Sequence, residues 1–499
     1  MSKMKKFIYG AGIIFLMLLD TSCNKWLDLS PQDGITRQEY WKTKEDIKSA
    51  IIGCYSSLIA SPVGVTDRKV TEYLFTWGEI RADMISASPL ATIDDKNIME
   101  VNIVASNGLT KWAALYRTIN YCNTVLEYAP EVKNYDPTLT DEQLNAYMGE
   151  ALTLRSLMYF YLVRTFRDVP FKTTSTSKDT DLQELGTTSA SVILDQLVAD
   201  LKTADLAVPV TYNSTIATDK GRITKVAVET LLADVYLWME QYDNCIAECN
   251  KVIAYSIANP LKLSLIGGSN AWWTLVYYNG SSRETIFEFA NMPSTDNGFN
   301  AILVNSAKRF IASPSLVESV FIPDDMDLSN RDYRGDDVSF SSTSSTITKF
   351  GVENPSYVNW QAYRYSDVLL LKAEALAVKD QGAEALAILS SFRTTRHAIS
   401  STAQSPDPTD VAGICDYILA ERSREFAFEG KRWYDLLRNA KRNNYERLDI
   451  LLNMVSGTVP STMQQTAMNK FKDVNSHYLP INEADIFADT KLIQNPFYK

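Results

Sequence analysis

Three glutamates, Glu421, Glu425 and Glu429, punctuate a charged run that reads Glu421-Arg422-Ser423-Arg424-Glu425-Phe426-Ala427-Phe428-Glu429-Gly430-Lys431-Arg432-Trp433. Glu421 and Glu425 lie one helical turn apart, so both carboxylates can share a face, the pairing from which a glycosidase draws its chemistry. The neighbours argue for another role. Arg422, Arg424 and Arg432 bring cations within reach of these carboxylates, and Phe426, Phe428 and Trp433 surround them with apolar bulk. Carboxylates in such company form ion pairs that pin a helix to its neighbours. No Gly-rich phosphate loop and no Ser/His/Asp constellation stands elsewhere in the chain. The expectation is a protein that is not an enzyme, with no catalytic residues.

Metal chemistry is equally poorly served. Asp324-Asp325-Met326-Asp327, with Asn330 and Asp332, offers the oxygen ligands that calcium takes. The run lacks the glycine and the terminal glutamate of an EF-hand loop and reads as a solvated acidic loop. Cys245 and Cys249 are four apart, but zinc would need further ligands, and the chain holds only His397 and His477. Cys54, Cys122, Cys245, Cys249 and Cys415 are an odd set without regular spacing, which fits buried core thiols better than a disulfide framework. No metal and no cofactor is expected.

The N-terminus speaks to location. Lys3, Lys5 and Lys6 precede an uncharged, mostly apolar run from Phe7 to Leu19, and Asp20-Thr21-Ser22-Cys23 follows. The run is shorter than the ~20 residues a membrane span needs and suits a secretory signal. A cysteine after small residues resembles a lipobox, with Asp20 where an aliphatic residue is usual. Residues 1–22 are therefore expected to be a lipoprotein signal peptide and Cys23 the lipidated first residue. Of 499 residues 45% are apolar, enough for a large core. The net charge is −11; residues 1–22 hold three Lys and one Asp, a net +2, so the remainder carries about −13. That acidity argues against nucleic acid and against an anionic lipid surface as partners. Membrane attachment would rest on more than one acyl chain.

Residues 23–43 read as a tether, and 44–499 as a single domain whose strong periodicities are helical. A helix is expected near Lys44–Ile59. Ala151, Leu154, Met158, Tyr161, Leu162 and Thr165 keep the three-to-four spacing of one buried face, and Asp168-Val169-Pro170 stops that helix. Ala233, Tyr236 and Cys245 recur, at the same intervals, as Ala373, Leu376 and Ala385. Small residues at such positions let two antiparallel helices approach, as in tetratricopeptide units. Trp112 to Leu115 opens another such helix, and Arg155–Thr165 with Val192–Asp205 makes a further pair across a Thr/Ser-rich loop. The fold class expected is mainly α: an irregular tetratricopeptide-repeat scaffold of about four helix pairs, interrupted by long loop insertions.

Read in order, these segments resemble the SusD/RagB family over nearly the whole length. Trp26-Leu27-Asp28 after Cys23, Ile51-Ile52-Gly53-Cys54-Tyr55, Glu150 to Arg155 with Phe166-Arg167-Asp168-Val169-Pro170, Gly221 to Lys225, and Arg364 to Ala375 are all similar to that family's segments. The family more often has Gly at the place of Arg167. The Glu421–Leu436 run is the most specific match, and Tyr478-Leu479-Pro480-Ile481 and Gln494-Asn495-Pro496 complete the order.

The resemblance implies a cell-surface lipoprotein of the outer membrane, facing the cell exterior. It would capture oligosaccharides and deliver them to a SusC-like TonB-dependent transporter. Peptide or glycopeptide capture, and a repeat scaffold that binds no nutrient, are the alternatives. Sugar recognition needs flat aromatic faces and amide or carboxylate groups, so aromatics in loops are the informative ones. Ser86–Thr110 is polar, with Asp94, Asp95 and Asn97 but no aromatic ring. Ser269–Ser313 is the richer insertion. Trp273 and Tyr277, four apart, are expected in the core. Trp272, Tyr278 and Phe299, with Asn297 and Asn300, are the candidate ligand residues, together with Trp360.

Overall fold

The computed structural model describes residues 40–499 apart from 62–67, 178–180, 268–271, 292–297, 300–301, 304–307, 325, 328–331, 351–357 and 400–404. The signal segment and Cys23 lie outside the described residues. Among the described residues no helix is long and apolar enough to cross a membrane.

The structure is mostly helical. The first helix, α1 (Lys44–Ile59), starts at a capping box in which Thr43 and Asp46 each satisfy the other's backbone N–H. Helix α2 (Val70–Glu79) follows, and α3 (Ala113–Tyr128) packs between α1 and the 26-residue α4 (Asp141–Phe166). Helix α4 begins at a Thr140/Gln143 capping box and ends at Arg167, whose φ of 69° is left-handed. Glycine suits that conformation best. Arg167 is held instead by side-chain bonds to Asn475 and Asp168, at 2.8 and 3.1 Å.

Helix α5 (Ala190–Ala207) packs along α4 despite the loop between them, and Arg155 reaches Asp200 across the interface at 2.6 Å. A short helix, α6 (Ile216–Gly221), leads to α7 (Lys225–Trp238) and α8 (Tyr242–Ala258). Further on, α9 (Tyr365–Val378) and α10 (Gly382–Thr395) form the same hairpin. The two hairpins turn alike. The Gln241 N–H donates to the Tyr236 carbonyl at 2.8 Å and the Gln381 N–H to that of Leu376 at 2.9 Å. Between them Glu240 and Asp380 take φ of 60° and 58°. Ala233 and Cys245 in one hairpin, and Ala373 and Ala385 in the other, are fully buried where the helices approach. Helix α8 packs on α9, so the second hairpin stacks on the first. Helices α11 (Val411–Glu425) and α12 (Arg432–Tyr445) extend the array.

Two antiparallel strand pairs anchor the insertions. Strand β1 (Ile85–Ala87) pairs with β3 (Phe310–Ala312), Ile85 opposite Ala312. Strand β2 (Thr285–Phe289) pairs with β4 (Trp360–Arg364), Glu288 opposite Gln361 and Phe289 opposite Trp360. All five residues of β2 and of β4 are buried, and β4 runs directly into α9. The same apolar core continues from the helices into the insertions, with Trp272, Phe299, Phe350 and Trp360 among its members.

Candidate functional site

The Glu421–Arg432 run is a buried ion-pair network, with a different set of partners from the one its own sequence offers. Glu425 is gripped by Arg334, Arg364 and Arg396 at 2.7–3.0 Å, residues far from it in the chain. Glu429 accepts from Lys349 and Arg364, each at 2.8 Å, and from the Tyr277 hydroxyl at 2.7 Å. Arg364 also reaches Glu284 at 2.6 Å. Of the three nearby arginines only Arg424 pairs with a glutamate of the run, Glu421, at 2.9 Å. Arg422 turns to Asp435 and Arg432 to Asp83. Burial alone would raise the Glu421 carboxyl, yet Arg334, Arg424 and Arg393 hold it down to about 2. Burial likewise opposes ionisation of Glu425, and Arg396, Arg364 and Arg334 keep it well below the usual carboxylate range. Such carboxylates have no open side from which to serve a substrate.

The acidic loop is described only in part. Asp332 is buried and clasps Arg334 at 2.6 Å, so it is no solvated ligand; Asp325 and Asn330 lie outside the described residues. Among the described residues no group of three or more metal-binding side chains comes together, and Cys54, Cys122, Cys245, Cys249 and Cys415 are buried free thiols. In the first insertion, Asp95 caps the Ile93–Met99 helix and accepts from Arg309, and Asp94 accepts from the Gly108 N–H at 2.9 Å. Those carboxylates hold the loop together.

The aromatic candidates separate sharply. Trp272, Phe299 and Trp360 are at most 2% exposed, which corrects the expectation that they face solvent. Phe299 stacks between Phe350, 4.6 Å away, and Trp360, 5.5 Å away. The far edge of Trp360 lies so close to Gly430 that a Cβ there would come within 2.8 Å of the ring. Trp272 meets the edge of Tyr277 and roofs the ion-pair network, with Arg396 5.3 Å from its ring. The reason is physical: an insertion this long and this rich in large side chains builds a core of its own. Asn297 and Asn300 lie outside the described residues.

Tyr278 is the exception, 64% exposed. It ends a π-helical turn over Thr274–Tyr278, closed by the Asn279 N–H donating to the Thr274 carbonyl at 2.8 Å. The wider π turn aligns residues five apart. It therefore sets Tyr278 beside Trp273, ring centroids 5.9 Å apart, and turns Tyr277 inward to Glu429. Trp273 is half-buried and donates through Nε1 to the Lys349 carbonyl at 2.9 Å. Four-residue spacing had paired Trp273 with Tyr277; an insertion of one residue per turn is not a signal that periodicity carries.

The turn after Tyr278 is fixed. Gly280 takes φ of 66°, and a Cβ there would lie 2.6 Å from the Asn359 amide nitrogen. Glu288 on β2 accepts from Ser281 N at 2.9 Å and from the side-chain amides of Asn359 and Gln361, each at 2.7 Å. A rigid, solvent-facing tyrosine beside a half-buried tryptophan offers flat apolar faces to a ring that carries C–H bonds.

Comparison with known proteins decides the family. Residues 342–498 match the SusD family model, and residues 25–237 match a related model described as starch-binding associating with outer membrane. The chain belongs to the SusD/RagB family. SusD-like protein P38 of Formosa agariphila is 25% identical over 88% of this chain and 93% of its own length. A SusD superfamily protein of Bacteroides vulgatus has the same fold, with a TM-score of 0.75 at 20% identity over 92% of this chain and all of its own. A SusD superfamily protein of Bacteroides thetaiotaomicron gives 0.72 at 23% identity, over 92% and 99%. In this chain the insertion joined to the repeat helices carries Trp273, half-buried, and Tyr278, exposed.

Proposed function

We propose that this protein is a carbohydrate-binding lipoprotein of the outer membrane. It captures oligosaccharides on the face that carries Tyr278 and Trp273 and passes them to a SusC-like TonB-dependent transporter. The observation that carries the reading is the match of residues 25–237 to the family described as starch-binding and associating with the outer membrane. The aromatic pair supports it, since sugar rings stack on exposed aromatic faces. Lipidation at Cys23 would hold the body at the membrane, facing the exterior, and the 23–43 tether would let it swing over the transporter. A binding protein without an energy source must hand its ligand to a pore.

The test is a binding screen of the purified protein against oligosaccharides and against peptides, with Tyr278→Ala as control. Oligosaccharide binding that weakens in Tyr278→Ala supports the reading. Binding of peptides alone would replace it with peptide capture, and a protein that binds neither would be a scaffold. Recovery of the lipoprotein from native membranes without a TonB-dependent barrel would overturn the delivery step.

A further inference from the structure

The chain that presents Tyr278 and Trp273 is almost free of positive charge. Residues 263–307 and 350–363 supply the π turn and most of the β2–β4 pair joined to it. They hold one cation, Arg283, against 49 in the 499 residues of the whole. Arg283 is exposed on the stretch leading into β2, and a lone exposed guanidinium adds little for an anion in water. Lys349 stands next to the turn, since its carbonyl accepts the Trp273 indole N–H, but its side chain is fully buried. Its three N–H donors are all engaged, by Glu429 and by the carbonyls of Glu425 and Ala427.

A formal charge does stand close behind the turn, and it is negative. Glu288 is fully buried, and a Cβ on Gly280 would lie 3.6 Å from its Oε1. The donors that hold it are neutral: the Ser281 N–H and hydroxyl at 2.9 and 2.8 Å, and the amides of Asn359 and Gln361, each at 2.7 Å. Lys220 acts on it only from beyond ion-pair distance. A carboxylate without a cation in contact projects its field outward, and salt screens a buried charge poorly.

An anion brought to this turn would meet that field. It would also leave water for an aromatic wall with no adjoining cation to receive it. The acidic chain, −11 overall, repels it at longer range. A ring that carries only hydroxyls meets neither obstacle. We infer that the Trp273–Tyr278 face selects uncharged oligosaccharides and turns away those that bear carboxylate or sulfate. The assignment rests on the capture reading above and adds the charge of the ligand to it.

The test titrates the full mature protein with matched pairs: maltohexaose, cellohexaose and mannohexaose, each beside the same chain with its primary alcohols oxidised to carboxylates. In a pair that binds, the neutral member should be tighter by about tenfold or more at low salt. Raising the salt should narrow the gap by weakening the repulsion, while the neutral member's own affinity stays level. Asn279→Lys, which puts a cation at the exposed position next to Tyr278, should narrow the gap by about threefold or more. An oxidised member that binds as tightly as its neutral partner, or a gap that Asn279→Lys leaves unchanged, would overturn the charge assignment while sugar capture stands. Binding of no member of any pair would overturn capture, and the assignment with it.

Discussion

Arg396 holds Glu425 edge to edge: Nε donates to Oε2 at 3.0 Å and Nη2 to Oε1 at 2.7 Å, both side chains fully buried. Two parallel bonds fix the plane of the carboxylate as well as its position. Because Arg334 and Arg364 converge on the same oxygens, Glu425 ties α11 to β4, to the end of α10 and to the Asp332–Arg334 loop at once.

Glu425→Ala should therefore destabilise the fold by about 3–5 kcal/mol, because it leaves several buried guanidinium groups without their counter-charge. Chemical denaturation reads the change directly. A variant with wild-type stability would contradict a structural role for the network.

Acid should weaken the fold over two overlapping pH ranges. His477 is buried, and desolvation lowers its imidazole from 6.5 to about 4. The native state then binds fewer protons than the unfolded one, so this contribution is complete above pH 6.5 and is lost as pH falls through 4. Glu421 and Glu429, held at about 2, add stability that is complete above 4.5 and is lost as pH falls through 2. His477→Asn should remove the part of the melting-temperature change that His477 contributes between pH 6.5 and 4, and the fall below 4.5 should remain.

Glu79 gives the opposite slope. Desolvation in the core raises its carboxyl from 4.5 to about 8, although the Gly430 N–H donates to it at 2.7 Å. Its contribution is whole below 4.5 and fades as pH rises through 8. Glu79→Gln, uncharged and of the same shape, should remove that loss: its melting temperature should decline less than the wild type's between pH 5 and 9.

Phe299→Ala and Trp272→Ala should cost about 3–5 kcal/mol each, since both delete a large ring from the core. Tyr278→Ala should leave the melting temperature within about 1–2 °C, as exposed substitutions do, while weakening oligosaccharide binding. Calorimetry of the three variants separates packing rings from a presented one.

A Cβ on Gly78 would sit 1.8 Å from the Gly430 carbonyl oxygen, where α2 crosses the loop before α12. Backbone cannot yield as a flexible side chain does, so Gly78→Ala should cost about 3 kcal/mol or more in the same denaturation assay.

How much of this was legible in the sequence follows from the range of each signal. The hairpins were legible because Ala233, Tyr236 and Cys245 report local helix contact, and their recurrence as Ala373, Leu376 and Ala385 needs no knowledge of the rest. The Glu421–Arg432 run announced ion pairs but hid the partners, since Arg334, Arg364 and Arg396 reach it only through the tertiary fold. The aromatic candidates failed for a related reason. Whether Trp272, Phe299 or Trp360 faces water depends on what the insertions fold against, and nothing in the spacing of single residues records a loop's private core.

Phe289 and Trp360 sit opposite one another in the β2–β4 ladder, so residues 290–359 leave and re-enter the body at one doorway. Chain inserted or removed between those posts changes the cost of closure only slowly, roughly 0.6 kcal/mol for each doubling of length. The helical frame beyond the doorway would register an edit only where this stretch reaches back into it, through Arg334 on Glu425, Lys349 on Glu429 and β3 on β1. Apart from those ion-pair residues, strand β3 and the rings that seat it, the stretch is free to change length, so a lineage could rewrite its outer segments, next in sequence to the strand that follows Trp273 and Tyr278, while inheriting the frame unchanged.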